Sequence, residues 1–264
     1  MSSQVILCDL VGTVYSAEGV IPGAVEAIAD LRRNGHVFRF LTNTDSKSTV
    51  NLLTELTQKG LDVETEELFT PVTAAMALIG SQPDARILAV TTREVSEQLA
   101  IGLEVVDDPA ASVTHVVVGD IRSRLNYELL NSAYRALVDG AEMVALQREP
   151  YFLSSGRRQL DTGAVVVALE FASGKKATVV GKPNPLFLSF ALRSLDTKVD
   201  KDTVWMVGDD RLTDVAAGRA AEVHTVLVRT GKFRNQVDIA DAPEPEYVID
   251  SLGNLPALIG QRDR

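Results

Sequence analysis

The feature that most constrains the fold of this chain is a regular alternation of short apolar runs and helical patterns. The apolar runs are rich in β-branched residues and predict strands at Val5 to Cys8, Val37 to Leu41, Arg86 to Val90, Val113 to Val118, Met143 to Leu146, Ala177 to Val180, Thr203 to Val207, His224 to Val228 and Tyr247 to Ile249. Helical patterns lie between most of them, as at Pro22 to Arg33 and Ser46 to Lys59. Such alternation is typical of βαβ crossovers, so the sequence predicts an α/β fold with a mainly parallel sheet and excludes all-β and helical-bundle folds.

Polar residues directly follow four of these predicted strands. They are Asp9, Thr42-Asn43-Thr44, Gly181-Lys182 and Gly208-Asp209-Asp210, with Asp214 one helical turn further on. Because ligands bind beyond the carboxyl ends of parallel strands, we expect these side chains to meet at one edge of a sheet.

Residues 80–176 contribute none of these polar strand ends but alternate between strand and helix on their own. We therefore predict an inserted domain at 80–176 within a core domain formed by 1–79 and 177–264. An insertion above the carboxyl ends of the core strands would act as a lid that excludes water and selects the substrate. Within it, the stretch from Ser154 to Arg158 predicts a polar turn, although Arg157 and Arg158 could instead face an anionic substrate.

The acidic residues have a structural and a functional interpretation. In the structural interpretation, Asp9 does no more than cap a turn, and Asp209 caps a helix that begins near Leu212. Asp214 could be a solvated surface residue. In the functional interpretation, carboxylates without paired His or Cys suit a hard cation, Mg²⁺ before Zn²⁺. A lysine beside them, such as Lys182, can orient a nucleophile and neutralise a phosphate oxygen.

Several other kinds of site are excluded by the sequence. No strand is followed by Gly-x-Gly-x-x-Gly, and neither a P-loop nor a Gly-x-Ser-x-Gly elbow occurs. The single cysteine, Cys8, permits no intrachain disulfide, and the three isolated histidines are expected to be structural. The remaining set of acid, hydroxyl, lysine and acid is what phosphoryl transfer through an aspartyl-phosphate needs.

The overall charge narrows the choice of partners. The 36 acidic and 26 basic side chains give a net charge of -10, which does not provide the positive field that nucleic acid or an anionic membrane attracts. No apolar run approaches the length of a membrane span, and no signal-type segment begins the chain. We expect a cytoplasmic protein whose partner is a small phosphorylated molecule.

The same motifs resemble those of the haloacid dehalogenase (HAD) superfamily, in particular its NagD-like, type IIA branch. The four motifs occur in order at Cys8-Asp9-Leu10-Val11-Gly12-Thr13-Val14, Phe40-Leu41-Thr42-Asn43-Thr44, Val180-Gly181-Lys182-Pro183 and Met206-Val207-Gly208-Asp209-Asp210 with Asp214. Arg148 to Phe152 and Ala168-Leu169-Glu170 are similar to one phosphatase subgroup of that branch. The resemblance implies a Rossmann-like core with an inserted α/β cap of the C2 type, Mg²⁺-dependent phosphatase activity and a homodimer formed through the cap.

The resemblance also implies a role for each matching residue. Asp9 would be the nucleophile and a Mg²⁺ ligand, and Lys182 would bridge Asp9 and the phosphate. The other implied roles are Mg²⁺ ligation by the Val11 carbonyl and Asp209, support of the metal or its water by Asp210 and Asp214, and binding of the phosphoryl oxygens by Thr42, Asn43 and Thr44.

Val11 departs from the family motif, which has a second aspartate two residues after the nucleophile to protonate the leaving group. Valine has no side-chain donor. Members of the similar subgroup have serine there, so a residue other than aspartate is compatible with activity. Two functions therefore stay open: a phosphatase with weakened general acid catalysis, and a catalytically impaired protein that keeps the fold for phosphate binding or regulation. A phospho-accepting receiver module is disfavoured, because such modules are much shorter and have no inserted lid.

Overall fold

The computed structural model describes residues 3–106, 112–154, 157–195, 199–236 and 239–262. The chain divides into two compact units. The first takes residues 1–42, 53–69 and 182–264, and the second takes 43–52 and 70–181. The predicted domain boundaries, at 79/80 and 176/177, stay a prediction. The two units change over at 69/70 and 181/182, and residues 43–52 also belong to the second unit.

The described residues form strands and helices that alternate along most of the chain. The strands are β1 (Val5–Asp9), β2 (Tyr15–Ser16), β3 (Gly19–Val20), β4 (Val37–Leu41), β5 (Leu68–Phe69), β6 (Arg86–Val90), β7 (Glu104–Val105), β8 (His115–Val118), β9 (Glu142–Ala145), β10 (Tyr151–Ser154), β11 (Arg157–Leu160), β12 (Ala177–Val179), β13 (Val204–Gly208), β14 (His224–Val228) and β15 (Tyr247–Ile249). The α-helices are α1 (Ala24–Arg33), α2 (Thr49–Gln58), α3 (Pro71–Ile79), α4 (Arg93–Leu99), α5 (Tyr127–Val138), α6 (Thr162–Ser173), α7 (Pro185–Arg193), α8 (Ala216–Ala221) and α9 (Leu255–Arg262).

The first unit is built on a six-stranded parallel sheet with the order β15-β14-β13-β1-β4-β5. The central strands β1 and β13 are buried along their whole length, as expected for parallel strands that are covered on both faces. In the register of the sheet, Asp9 lies opposite Leu41 and Cys8 lies opposite Val207. The carboxyl ends of β1, β4 and β13 therefore lie side by side at one edge.

The helices of this unit follow from their apolar spacing. Helix α1 buries Ala24, Ala27, Ile28 and Leu31, which recur on one face of a 3.6-residue helix. The predicted start at Pro22 falls two residues early, because Gly23 adopts a left-handed conformation before the first helical turn.

The second unit has its own five-stranded parallel sheet, with the order β12-β9-β8-β6-β7. Helices α5 and α6 pack together on one face of this sheet. Ala133 and Leu137 of α5 and Val166 and Leu169 of α6 join the strands in one apolar cluster. The prediction of an α/β fold with parallel sheets is confirmed.

A short antiparallel hairpin, β10 and β11, lies between β9 and α6 in the chain. The polar turn expected from Ser154 to Arg158 overlaps this hairpin, and its residues 155 and 156 lie outside the described part of the chain. Arg157 and Arg158 belong to β11 and are exposed, and Arg158 stacks on Tyr151 with its guanidinium 4.5 Å from the ring centroid. Among the described residues, every helix falls short of the length and apolar character that a membrane span requires.

Candidate active site

The candidate nucleophile ends the central strand of the first unit. Asp9 is buried at the carboxyl end of β1, and Oδ2 of its carboxylate accepts a hydrogen bond from Thr13 Oγ1 at 3.2 Å. Between them the chain turns through Gly12, whose φ of 92° favours glycine. A Cβ added at Gly12 would overlap with the Asp209 carboxylate, so the absence of a side chain lets the two loops approach closely.

The candidate lysine reaches both ends of the acidic cluster. Lys182 is 2% exposed, and its Nζ lies 2.5 Å from Asp9 Oδ1 and 2.7 Å from Asp214 Oδ1. The same ammonium donates a hydrogen bond to the carbonyl of Leu41 at 3.1 Å. Burial lowers the pKa of this amine, but the Asp214 and Asp9 carboxylates outweigh it and raise the pKa above its usual value. Lys182 is therefore a fixed positive charge between two carboxylates.

Three carboxylates converge around this lysine. Asp9, Asp209 and Asp214 are buried, and each offers an oxygen that lies within 4.8 Å of the others. Burial raises the pKa of Asp209 well above its usual range, and repulsion from Asp9 and Asp214 adds to the shift. Burial also raises the pKa of Asp214 to about 7, although Lys182 opposes it. The interpretation of Asp214 as a solvated surface residue is therefore wrong.

Asp210 has a structural role that the sequence analysis considered for Asp209. Asp210 Oδ1 accepts hydrogen bonds from the backbone N–H groups of Leu212 and Thr213, so Asp210 caps the turn that begins at Arg211. Burial alone would raise the pKa of Asp210, but the Lys232 ammonium and a hydrogen bond from Gln236 hold the pKa below its usual value. Asp210 is thus already satisfied by protein groups.

A further loop of the site was missed in the sequence. The backbone N–H of Lys232 donates to Asp209 Oδ2 at 2.6 Å, and Lys232 Nζ donates to Asp210 Oδ2 at 2.9 Å. Thr230 Oγ1 donates to the carbonyl of Gly12 at 2.5 Å. These residues follow β14, which was predicted as a strand, so inspecting the carboxyl end of that strand could have identified them.

The remaining predicted residues occupy different places. Thr42 is buried at the end of β4, where its N–H donates to Phe69 O at 3.1 Å. Asn43 and Thr44 belong to the second unit, in which Asn43 Nδ2 donates to Glu149 Oε1 at 3.2 Å. Val11 is 49% exposed in the turn after β1.

In chemical terms, the first unit brings three carboxylates and one ammonium together in a buried cluster. If all ionise, three negative charges face one lysine, and such an excess in a buried site favours either proton uptake or a bound cation. The donors are all oxygens and include no His or Cys, which suits Mg²⁺.

Comparison with protein families and with curated relatives shows the family to which the chain belongs. A haloacid dehalogenase-like hydrolase model matches residues 6–102, and a HAD-hydrolase-like model matches residues 179–255. Haloacid dehalogenase-like hydrolase domain-containing protein 2 of Bos taurus is 35% identical over 249 residues, which cover 94% of this chain and 93% of the relative. The chain belongs to the haloacid dehalogenase-like hydrolase family. Human phospholysine phosphohistidine inorganic pyrophosphate phosphatase is 29% identical and covers 97% of this chain and 94% of its own length.

Solved structures agree with this family. The p-nitrophenyl phosphatase from Archaeoglobus fulgidus superimposes with a TM-score of 0.89, at 29% identity, over 98% of this chain and all of that one. NagD from E. coli K-12 shares the fold, with a TM-score of 0.83 at 24% identity over 96% of this chain and 98% of NagD. The predicted NagD-like fold and the expectation of a HAD-like phosphatase or hydrolase are confirmed.

Proposed function

We propose that this chain is a Mg²⁺-dependent phosphatase that hydrolyses a small phosphorylated molecule through an aspartyl-phosphate at Asp9. The observation that carries the proposal is the buried cluster in which Lys182 contacts Asp9 and Asp214 while Asp209 completes a set of carboxylates within 4.8 Å. Phosphoryl transfer needs a nucleophilic oxygen, a cation near the phosphate and a positioned lysine, and this cluster offers groups suited to each need.

In the first step of the proposed reaction, a carboxylate oxygen of Asp9 forms a bond to phosphorus. The bond from phosphorus to the leaving oxygen or nitrogen breaks, and that atom keeps the electron pair. In the second step, water attacks phosphorus and the bond to Asp9 breaks, which yields inorganic phosphate and restores the carboxylate. Lys182 holds the Asp9 carboxylate in one orientation for attack, because its Nζ contacts Asp9 Oδ1 at 2.5 Å.

The residues present fit a magnesium ion. Asp9 and Asp209 would hold it, with the Val11 carbonyl as a further ligand and Asp214 in support. When bound, Mg²⁺ would offset the negative charge of the carboxylates and of the phosphoryl oxygens. We also propose that Thr42, with Asn43 and Thr44, binds the phosphoryl oxygens.

Val11 sets the expected choice of substrate. With valine two residues after the nucleophile, no side chain at that position can protonate the leaving group. General acid–base catalysis is typically worth about 10²- to 10⁴-fold, or roughly 3 to 5.5 kcal/mol of barrier. Substrates whose leaving group departs without that proton should suffer least, such as aryl phosphates, pyrophosphate and phosphoramidates. The names of the relatives, a p-nitrophenyl phosphatase and a phospholysine, phosphohistidine and pyrophosphate phosphatase, support this choice.

The test compares turnover of p-nitrophenyl phosphate, pyrophosphate, a phosphoramidate and a sugar phosphate, each with Mg²⁺ and with EDTA. We expect turnover only with Mg²⁺ and the slowest turnover with the sugar phosphate. Asp9→Asn should abolish turnover, whereas Asp30→Asn, a change at an exposed carboxylate of α1, should leave it unchanged. A sugar phosphate as the fastest substrate would contradict the substrate choice, and full activity of Asp9→Asn would eliminate the nucleophile.

The alternative function is a catalytically impaired protein that binds phosphate or regulates another process, and Val11 is the observation that favours it. Tight binding of vanadate or phosphate without turnover of any substrate in the panel would support this alternative and exclude the phosphatase.

The remaining partner proposals are a homodimer in the cytoplasm and no binding to nucleic acid or membranes. Exposed apolar side chains support the homodimer: Phe171 of α6 is 91% exposed, and Val167 and α5 residues Tyr127 and Val138 are also exposed. Burial of one aromatic side chain covers roughly 150 to 250 Å². If this face packs against its copy on a second chain, the surface buried on each partner could thus approach the roughly 800 Å² of a standard interface. Light scattering should show a dimer that Phe171→Glu dissociates and Ile101→Glu does not, and a wild-type monomer at assay concentration would refute the proposal.

A further inference from the structure

The sheet of the second unit has a topological switch point between β6 and β8. From β6 the chain adds β7 on one side, whereas β8, β9 and β12 follow one another on the other side. In open α/β sheets, ligands bind beyond the carboxyl ends of the strands at such a point, because the connections diverge and leave a crevice. The residues that follow these two strands are Thr91 and Thr92 after β6, and Gly119 and Asp120 after β8.

In this unit the switch point contacts a segment of the same chain, residues 43–52. The carbonyl of Ser46 accepts a hydrogen bond from Thr92 Oγ1 at 3.1 Å, just beyond β6. The carbonyl of Asp45 lies beside Gly119, just beyond β8, since a Cβ added there would be 3.5 Å from it. The segment therefore passes the carboxyl ends of both strands, where other sheets of this kind hold a ligand.

Further polar contacts fix the second half of the segment. Thr49 N donates to Gln98 Oε1 at 2.8 Å, and Gln98 Nε2 donates back to Thr49 Oγ1 at 2.9 Å. Ser48 N donates to Glu94 Oε1. Burial would raise the pKa of Glu94, but the hydrogen bonds from Ser48 outweigh it and lower the pKa. Helix α4 thus holds this half through side chains that pair specifically with it.

The first half of the segment is fixed by a buried hydrogen bond. Asp45 is 5% exposed, and its Oδ2 accepts from Oγ1 of Thr162, itself 3% exposed, at 2.6 Å. Thr162 is the first residue of α6. Burial raises the pKa of Asp45 to about 7, with the Thr162 hydrogen bond opposing and the nearby Asp161 and Asp120 carboxylates reinforcing the shift. A buried carboxyl is costly unless it is bonded, so this pair holds the Asp45 loop at a defined place.

We propose that the switch-point crevice of the second unit serves as an internal binding site for the segment that follows Thr42, and that Asp45 and Thr162 are positioning residues for phosphate binding. This inference rests on the proposed function, in which Thr42, Asn43 and Thr44 bind the phosphoryl oxygens. Only two residues separate Thr42 from Asp45, so the hydrogen bond to Thr162 fixes the backbone on the far side of Asn43 and Thr44. The pair acts on the substrate through these residues and does not touch it.

The test measures kcat and KM for p-nitrophenyl phosphate, the inhibition constant of inorganic phosphate and the melting temperature. Thr162→Val and Asp45→Ala should each raise KM and the phosphate inhibition constant about tenfold, with kcat changed less than threefold, because the lost contact supports binding in the ground state and transition state alike. Thr162→Ser keeps the hydroxyl and should restore both constants to within twofold of wild type. The double variant should resemble Asp45→Ala alone, since the two residues share one interaction.

Thr114→Val is the matched control, because the Thr114 hydroxyl bonds with Arg86 at the start of β6 and with His115 at the start of β8, away from the segment. It should leave KM and the phosphate inhibition constant unchanged even if it lowers the melting temperature. Should Thr162→Val not fold, Asp45→Ala, which removes the acceptor, and Thr162→Ser, which keeps the donor, carry the comparison. The inference is overturned if KM and the phosphate inhibition constant stay within twofold of wild type in every variant at Asp45 and Thr162. Loss of turnover in Asp9→Asn would in that case leave the proposed function standing. Turnover by Asp9→Asn would instead remove the proposed function.

Discussion

The replacement of Lys182 by methionine tests the electrostatic basis of the site. Methionine keeps much of the length of the side chain but removes the ammonium, and with it the ion pairs to Asp9 and Asp214 and the hydrogen bond to the Leu41 carbonyl. Both carboxylates then stay buried without their cation. Removal of one partner from a buried ion pair costs about 3 to 5 kcal/mol. At roughly 2 to 4 °C of melting temperature per kcal/mol for a chain of about this size, we expect a decrease of roughly 6 to 20 °C in Mg²⁺-free buffer at pH 8.

The pH dependence of this loss has a definite sign. Without Lys182, the pKa of Asp214 should rise further from its value of about 7, because the lysine opposes the effect of burial on that carboxyl. A carboxyl whose pKa is higher in the folded than in the unfolded chain makes stability fall as the pH rises through the folded pKa. The difference in melting temperature between wild type and Lys182→Met should therefore be largest at pH 8 and shrink towards pH 5. Added Mg²⁺ should recover part of it at pH 8.

The assay is thermal unfolding followed by fluorescence or circular dichroism from pH 5 to 8, with and without Mg²⁺. Lys201→Met is the matched control, because Lys201 pairs with Glu222 at 2.7 Å but both side chains are exposed. Its melting temperature should change by only about 1 to 2 °C, since exposed pairs contribute little. A Lys182→Met variant that melts within 2 °C of wild type at pH 8 without Mg²⁺ would refute the electrostatic reasoning.

The remaining predictions concern the turn after β1, the glycine beside Asp209 and the metal. Val11→Asp should raise turnover of a sugar phosphate about 100-fold through restored acid catalysis. The loss of stability should be small, because Val11 is half exposed. Equal turnover rates of wild type and Val11→Asp would show that departure of the leaving group is not rate-limiting. Gly231→Ala should destabilise the protein and abolish activity, because φ is 54° and a Cβ would overlap with Asp209 and with Gly12. Gly260→Ala, where a Cβ meets nothing within 4 Å, should be neutral or stabilising in both the melting and activity assays. Mg²⁺ should raise the wild-type melting temperature in a concentration-dependent way that Asp209→Asn weakens, and an equal shift in that variant would contradict the metal assignment.

The sequence predicted the parts of the fold that depend on local pattern. Strands such as β4, β6 and β14 match their predicted bounds, because continuous apolar runs bounded by polar residues mark buried parallel strands. The short strands β2, β3, β5 and β7 have only two residues each and carry no periodic signal. β2 and β3 pair with each other in a tight hairpin, whereas β5 and β7 are defined by their pairing with β4 and β6, which lie further away in the sequence.

The candidate site shows the same contrast. The convergence of Asp9 and Asp209 followed from the rule that carboxyl ends of parallel strands meet at one edge, because β1 and β13 are neighbours in one sheet. The rule does not explain the place of Lys182, because the strand before it, β12, belongs to the sheet of the second unit and not, as predicted, to the sheet that carries Asp9. The rule does not predict which aspartate caps the following turn, because the choice between Asp209 and Asp210 depends on the direction of each side chain. The contacts of Lys232 likewise depend on where a loop more than 20 residues later returns.

The two groups of the central ion pair, on Asp9 and Lys182, are 173 residues apart in the chain. During synthesis Asp9 emerges from the ribosome long before Lys182 does. Until then the first carboxylate has no ammonium to pair with, and desolvating it inside a partly folded sheet would be unfavourable. We expect the central strand to reach its final burial only late in synthesis, once the last third of the chain has been made.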